Sequence, residues 1–141
     1  MSALVLDGSV ALSWVLPDEL TASTQAIRAS IQTGNRTIVP SHWALEVANA
    51  LRSAERRKRI TQPDTTTALA ALEKISMETD TETARRAGRE TLALARENAL
   101  SVYDAAYLEL AIRQGAVLVS LDGPLRTAAK KCKVPLLPEN I

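Results

Sequence analysis

AVLVSL, residues 116–121, is the stretch on which the fold turns. It is apolar without a break up to Ser120, and it alternates β-branched Val117 and Val119 with leucine. A strand exposed on one face would alternate apolar with polar residues. A continuous run is what a strand covered on both faces requires, and such strands belong to parallel sheets. Asp122-Gly123-Pro124 follows at once, a sequence that ends a strand and opens a helix. Working outward, ALVL (3–6), TIVP (37–40) and VPLL (134–137) have the same short apolar character, and ISME (75–78) is a further candidate strand. Helical segments separate them. These are predicted at 9–16, closed by Pro17; at 20–33, stopped by Gly34-Asn35; at 41–59; from Pro63-Asp64 to Leu72; at 81–97, with Gly88 as a weak point; at 101–113; and at 124–131. Strands alternating with helices predict one α/β domain, with a central, mostly parallel sheet of four to five short strands flanked by helices.

Composition narrows the function classes. A chain of 141 residues with 46% hydrophobic and 23% charged residues suits one globular domain with a real core. Phe is absent, so that core rests on Ala, Leu, Val and Ile, with Trp14 and Trp43 as its large members. A net charge of +1 sets up no global field for nucleic acid, and any basic surface is local. The single cysteine, Cys132, excludes a disulfide framework and a Cys-based zinc site, and reads as a small buried helix residue. With His42 the only histidine, Ser–His–Asp chemistry has little support. No apolar run reaches the length of a membrane span, and Asp7 interrupts the apolar N-terminus, which lacks a basic leader. An intracellular, cytoplasmic protein is expected.

The acids carry the chemistry. Asp7 ends the first strand and Asp122 the clearest one, and in open parallel sheets ligands bind beyond the carboxyl ends of the strands. Asp104, in SVYDAAY (101–107), stands in the first turn of an otherwise apolar helix. Glu46 stands one turn into the helix after TIVP, beside Trp43 and Val47. Four converging carboxylates would repel one another, and a hard divalent cation such as Mg²⁺ or Mn²⁺ relieves that. Each acid also has a local reading. Ser101-x-x-Asp104 fits a capping box, Asp7 and Asp122 fit helix N-caps, and Glu46 fits a solvated helix face. Spacing alone leaves both readings standing.

A family resemblance adds to this. VLDGSVALSWVLPDE (5–19), VPSHWALEVANAL (39–51), LSVYDAAYLELA (100–111) and AVLVSLDGPLRTAA (116–129), in this order, resemble a PIN-domain ribonuclease, and more narrowly the VapC toxins of toxin–antitoxin pairs. The similarity spans nearly the whole chain, implying a single PIN domain over residues 1–141. It implies that Asp7, Glu46, Asp104 and Asp122 form a catalytic Mg²⁺ site (Mn²⁺ as substitute), with Ser9, Asn49 and Ser120 as polar residues lining it. Gly8 stands where Ala or Thr is commoner in the family. The implied activity is metal-dependent hydrolysis of RNA that leaves 5′-phosphate and 3′-hydroxyl ends. The implied partners are the RNA, a cognate antitoxin covering the active-site groove, a second copy of the chain, and operator DNA reached only through the antitoxin. A housekeeping RNA-processing nuclease and a chiefly corepressing module are the alternatives. A haloacid-dehalogenase-type phosphatase would need an acid where Ser9 stands, and a receiver domain would need an acidic pair that is not there.

Two basic runs are candidate RNA contacts: Arg52, Arg56, Arg57, Lys58 and Arg59, and then Arg126, Lys130, Lys131 and Lys133. Their alternative is the ordinary placement of cations at helix C-termini. His42 is expected to cap or pack, and Tyr103 and Tyr107, four residues apart, are expected in the core rather than stacked on a base.

Overall fold

The computed structural model describes residues 2–140. Five short strands, β1 (Leu4–Leu6), β2 (Thr37–Val39), β3 (Glu78–Thr79), β4 (Val117–Val119) and β5 (Leu136–Leu137), form one sheet in the order β3-β2-β1-β4-β5. All four pairings are parallel, as the continuous apolar runs predict. Leu4, Val5 and Leu6 of the central strand are 4%, 0% and 0% exposed, so β1 is covered on both faces.

The helices are α1 (Gly8–Ser13), α2 (Ala22–Gln32), α3 (Trp43–Arg56), α4 (Gln62–Glu73), α5 (Thr83–Arg86), α6 (Leu92–Asn98), α7 (Val102–Gln114) and α8 (Gly123–Lys131). On α3, Trp43, Val47, Leu51 and Ala54 recur at helical spacing and are all buried. In α7 seven consecutive residues, Ala105 to Ala111, are buried because the helix packs on β1 and β4 while α6 covers its other side. Trp14 and Trp43 lie in the core at 8% exposure each.

Several boundaries differ from the sequence reading. The helix predicted at 81–97 is broken. A π-helical turn, Ala87–Thr91, separates α5 from α6, and Arg89 leaves helical geometry at φ −120°, ψ −107°. Gly88 sits inside this turn, consistent with its low helix propensity. α2 begins at Ala22 because Thr21 and Thr24 form a reciprocal capping box, and α1 ends at Ser13, well before Pro17. The edge strand is displaced from 75–78 to Glu78–Thr79, where it pairs with Ile38 and Val39. Cys132 is half-buried at the C-terminal cap of α8 rather than buried within the helix. Among the described residues no helix is long and apolar enough to cross a membrane.

Candidate active site

The strand order reverses direction between β1 and β4: the chain steps outward from β1 to β2 and β3, then returns beyond β1 to lay down β4 and β5. Such a switch point leaves a crevice beyond the strands' carboxyl ends. Asp7 follows β1 and Asp122 follows β4, so the two acids flank it. α3 and α7 begin at the same rim and carry Glu46 and Asp104 in their first turns.

Asp7 is 8% exposed, and although it occupies the N-cap position of α1 its side chain makes no cap hydrogen bond. The simple N-cap reading is therefore wrong for this residue. Instead Oδ2 accepts from Ser9 Oγ (2.9 Å) and Ser120 Oγ (2.7 Å). Each hydroxyl also accepts a backbone N–H from the loop after β4: Leu121 N–H reaches Ser9 Oγ at 3.0 Å and Asp122 N–H reaches Ser120 Oγ at 3.0 Å. The two serines thus lock the β1 and β4 ends together through the carboxylate. Burial pushes Asp7 up from the usual range to about 6, against the pull of the two hydroxyls, and the charges of Glu46 and Asp104 add to the rise.

Asp122 is a genuine N-cap, its Oδ2 accepting Leu125 N–H at 2.9 Å. For Asp104 the capping box is half formed: Ser101 Oγ accepts the Asp104 N–H at 3.1 Å, and no return bond reaches the Ser101 backbone. Burial raises the Asp104 carboxyl, and the negative charges of Asp122 and Glu46 raise it further, with Ser101 and His42 opposing. Glu46 behaves differently. Burial disfavours its charge, yet hydrogen bonds from His42 and Tyr107 outweigh this and hold it below the usual glutamate range. Tyr107 Oη donates to Glu46 Oε1 at 2.6 Å, and His42 Nε2 lies 3.0 Å from the same oxygen. His42 Nε2 is also 3.1 Å from the Tyr103 carbonyl. Both neighbours are pure acceptors, so Nε2 carries the proton. The i,i+4 spacing of His42 and Glu46 was a legible signal for this pairing, which the sequence reading did not use.

The four acids therefore share one rim and sense one another's charge. Among the described residues, no three His, Cys, Asp or Glu side chains lie close enough together to hold an ion as they stand. An ion here would have to draw the carboxylates inward or reach some of them through water, which Mg²⁺ allows because it keeps several of its waters. The donor set, all carboxylate oxygen with no thiolate, fits the same class of ion.

Other candidates stand elsewhere. Asn49 is exposed one turn beyond Glu46, and no hydrogen bond joins it to an acid among the described residues. Arg52, Arg56, Arg57, Lys58 and Arg59 are all exposed, but α3 carries them away from the rim. Arg56, ten residues past Glu46, lies about 15 Å further along the axis. Arg52 pairs with Glu55, and Arg59 with Glu19. Arg126 is not a surface cation. It is 5% exposed, and its guanidinium donates to the carbonyls of Ser120 (2.9 Å) and Pro138 (2.7 Å), tying the C-terminal segment to the end of β4. Tyr107 is fully buried as predicted, but Tyr103 is 66% exposed, because the first turn of α7 projects beyond the elements that cover the rest of the helix.

The family model described as PIN domain matches residues 4–131. This chain belongs to the PIN domain family. No curated protein sequence matches it. Among solved structures, PAE2754 from Pyrobaculum aerophilum is similar over 96% of this chain and 83% of its own, with 20% identity and a TM-score of 0.70. VapBC2 from Rickettsia felis, solved bound to a DNA fragment from their promoter, is similar over 95% of this chain and 96% of its own, with 12% identity and a TM-score of 0.65. At these identities the likeness is one of fold. At Gly8 there is room for alanine, since an added Cβ would meet only Val47 Cγ2, at an ordinary 3.5 Å.

Proposed function

We propose that this PIN domain is a Mg²⁺-dependent endoribonuclease and the translation-inhibiting toxin of a toxin–antitoxin pair. The observation that carries the nuclease reading is the gathering of Asp7, Glu46, Asp104 and Asp122 at the switch-point rim, where burial and neighbouring negative charge raise the Asp7 and Asp104 carboxyls and so favour added positive charge. Asp7, Asp104 and Asp122 are the residues that would hold the ion, and Glu46 completes the acidic set. Once bound, Mg²⁺, or Mn²⁺ as a substitute, would supply Lewis acidity toward the phosphate and lower the pKa of water for in-line attack on phosphorus.

The protein's own contribution is orientation. Ser9 and Ser120 occupy Asp7 Oδ2, Leu125 N–H occupies Asp122 Oδ2, and His42 with Tyr107 occupies Glu46 Oε1. Each of these three acids thus has one oxygen fixed by the fold and the other available to a cation, which holds the carboxylates in place without saturating them. Glu46, kept ionised by His42 and Tyr107, contributes a fixed negative charge to the set.

The toxin reading is supported by the motif resemblance, together with the fold shared with VapBC2. It implies a cytoplasmic homodimer neutralised by a cognate antitoxin, with operator DNA contacted through that antitoxin. Purified protein incubated with total cellular RNA tests the nuclease. Discrete fragments are expected with Mg²⁺ and none with EDTA, and Asp104→Asn should lower the rate by about a thousandfold while leaving the protein folded. Full activity in that variant would remove Asp104 from the site.

A further inference from the structure

Beside the four acids lies a second concavity, lined by no Asp, Glu, Lys or Arg. It occupies 170 Å³ between the start of α3, the segment formed by α5 and the π-helical turn, and the first turn of α7. His42, Ala84, Ala87, Val102, Tyr103 and Ala106 make most of its wall, so methyl groups face two aromatic rings. Tyr103 and Val102 are exposed at 66% and 36%. The Tyr103 ring is placed by its neighbour: the His42 ring lies tilted against it at 5.8 Å between centroids, and His42 Nε2 is 3.1 Å from the Tyr103 carbonyl. The same nitrogen lies 3.0 Å from Glu46, and Tyr103 directly precedes Asp104. The aromatic wall and the acidic rim are thus one connected structure. The far wall includes Ala87 and Thr91, the two ends of the kinked turn between α5 and α6.

We infer that this concavity is a nucleobase subsite: a base of the RNA strand, next to the phosphodiester at the acids, stacks on Tyr103 and enters the methyl-lined pocket. The inference rests on the nuclease reading. Size favours one flat heterocycle, since pockets for drug-sized ligands run from about 300 to 1,000 Å³. Charge favours the base over the phosphate, because the wall is neutral and the rim beside it is acidic. Nearby cations are partly committed: Arg85 and Arg86 of α5 both pair with Glu82. Stacking on an aromatic ring is a source of affinity that needs no cation, and it tolerates every base because each has a π-face. A subsite with apolar walls therefore takes single-stranded RNA with weak sequence preference, unlike a hydrogen-bonding site that reads base edges.

The test uses the full chain and a single-stranded RNA oligonucleotide with 2-aminopurine in place of adenine. Emission is read in an Asp104→Asn background to block cleavage, and KM and kcat are measured in the otherwise wild-type chain. Emission is expected to be quenched with Tyr103 present and with Tyr103→Phe, which keeps the stacking face. Tyr103→Ala should lose the quenching, and so should Ala84→Leu, which fills the pocket from the exposed side of α5 and leaves the tyrosine in place. Both changes should raise KM by about tenfold to a hundredfold, with the loss falling on KM. A merely structural disturbance of Asp104 would fall on kcat. Quenching and KM unchanged in both variants would overturn the subsite while RNA cleavage still stood, and would leave the pocket to a protein partner. Absence of both quenching and cleavage would overturn the subsite and the nuclease together, and quenching without cleavage would support the subsite and overturn the nuclease alone.

Discussion

Asp7→Asn is expected to abolish RNA cleavage and, in EDTA at pH 8, to make the protein more stable. The two effects have one cause. Asp7 is buried, and its carboxyl titrates near 6 rather than at its ordinary 3.8. The folded state therefore binds a proton that the unfolded state has released over that interval. The stability this confers is fully present below pH 3.8 and is lost as pH rises through about 6. The loss amounts to about 3 kcal/mol, roughly 10 °C in Tm for a chain of this size. Asparagine keeps an acceptor for Ser9 and Ser120 and carries no charge, so the variant should show a flatter pH profile between 4 and 8. Thermal melts of both proteins across that range provide the measurement. Identical profiles would contradict the burial of an ionised Asp7, and an active variant would contradict its place among the ligands.

Arg113→Met is expected to be the most damaging change outside the site. Arg113 donates to both oxygens of Asp80 (3.0 and 2.8 Å) and to both oxygens of Glu109 (2.9 and 3.0 Å), and all three side chains are largely buried. Asp80 follows the edge strand β3, so the network ties that strand to α7, the helix that carries Asp104. Burial opposes the charge on Asp80, and the bonds from Arg113 and Thr83 are what hold its carboxyl below the usual range. Without the guanidinium Asp80 loses its counter-ion and Glu109 keeps only Arg86, at 3.9 Å, a loss of about 3–5 kcal/mol. Urea unfolding should show it, and Asp80→Asn with Glu109→Gln added to Arg113→Met should recover part of it. A loss under about 1 kcal/mol would mean that water already screens the group.

What the sequence made legible and what it hid divide along physical lines. Continuous apolar runs ending in Asp marked β1 and β4, because a strand covered on both faces cannot alternate, and the same rule placed two acids at the carboxyl rim. The buried face of α3 was legible from helical spacing alone. Features made between distant segments were not. Arg113 and Asp80 are 33 residues apart, and Arg126 reads as one more surface cation until the C-terminal segment passes over it. Tyr103 and Tyr107 share a helix face by spacing, yet only the packed structure shows that cover stops between them, leaving one ring buried and the other at the mouth of a pocket. The break in the segment after β3 was signalled only by Gly88, and its π-helical form by nothing in the sequence. Whether the acids converge was likewise beyond spacing, since each also fits a local capping or surface role. The structure separates these roles. Asp7 does not cap, Asp122 does, and the Asp104 box is half formed.

The most direct measurement of the central claim is the chemistry of the RNA ends. Cleavage products made by the purified protein with Mg²⁺ should carry 5′-phosphate and 3′-hydroxyl groups, as attack by water with the 3′-oxygen as leaving group gives, and their formation should stop with EDTA. Products ending in 2′,3′-cyclic phosphate and 5′-hydroxyl, formed equally well in EDTA, would show that the ribose hydroxyl and not water is the nucleophile, and would contradict a carboxylate-held metal as the basis of activity.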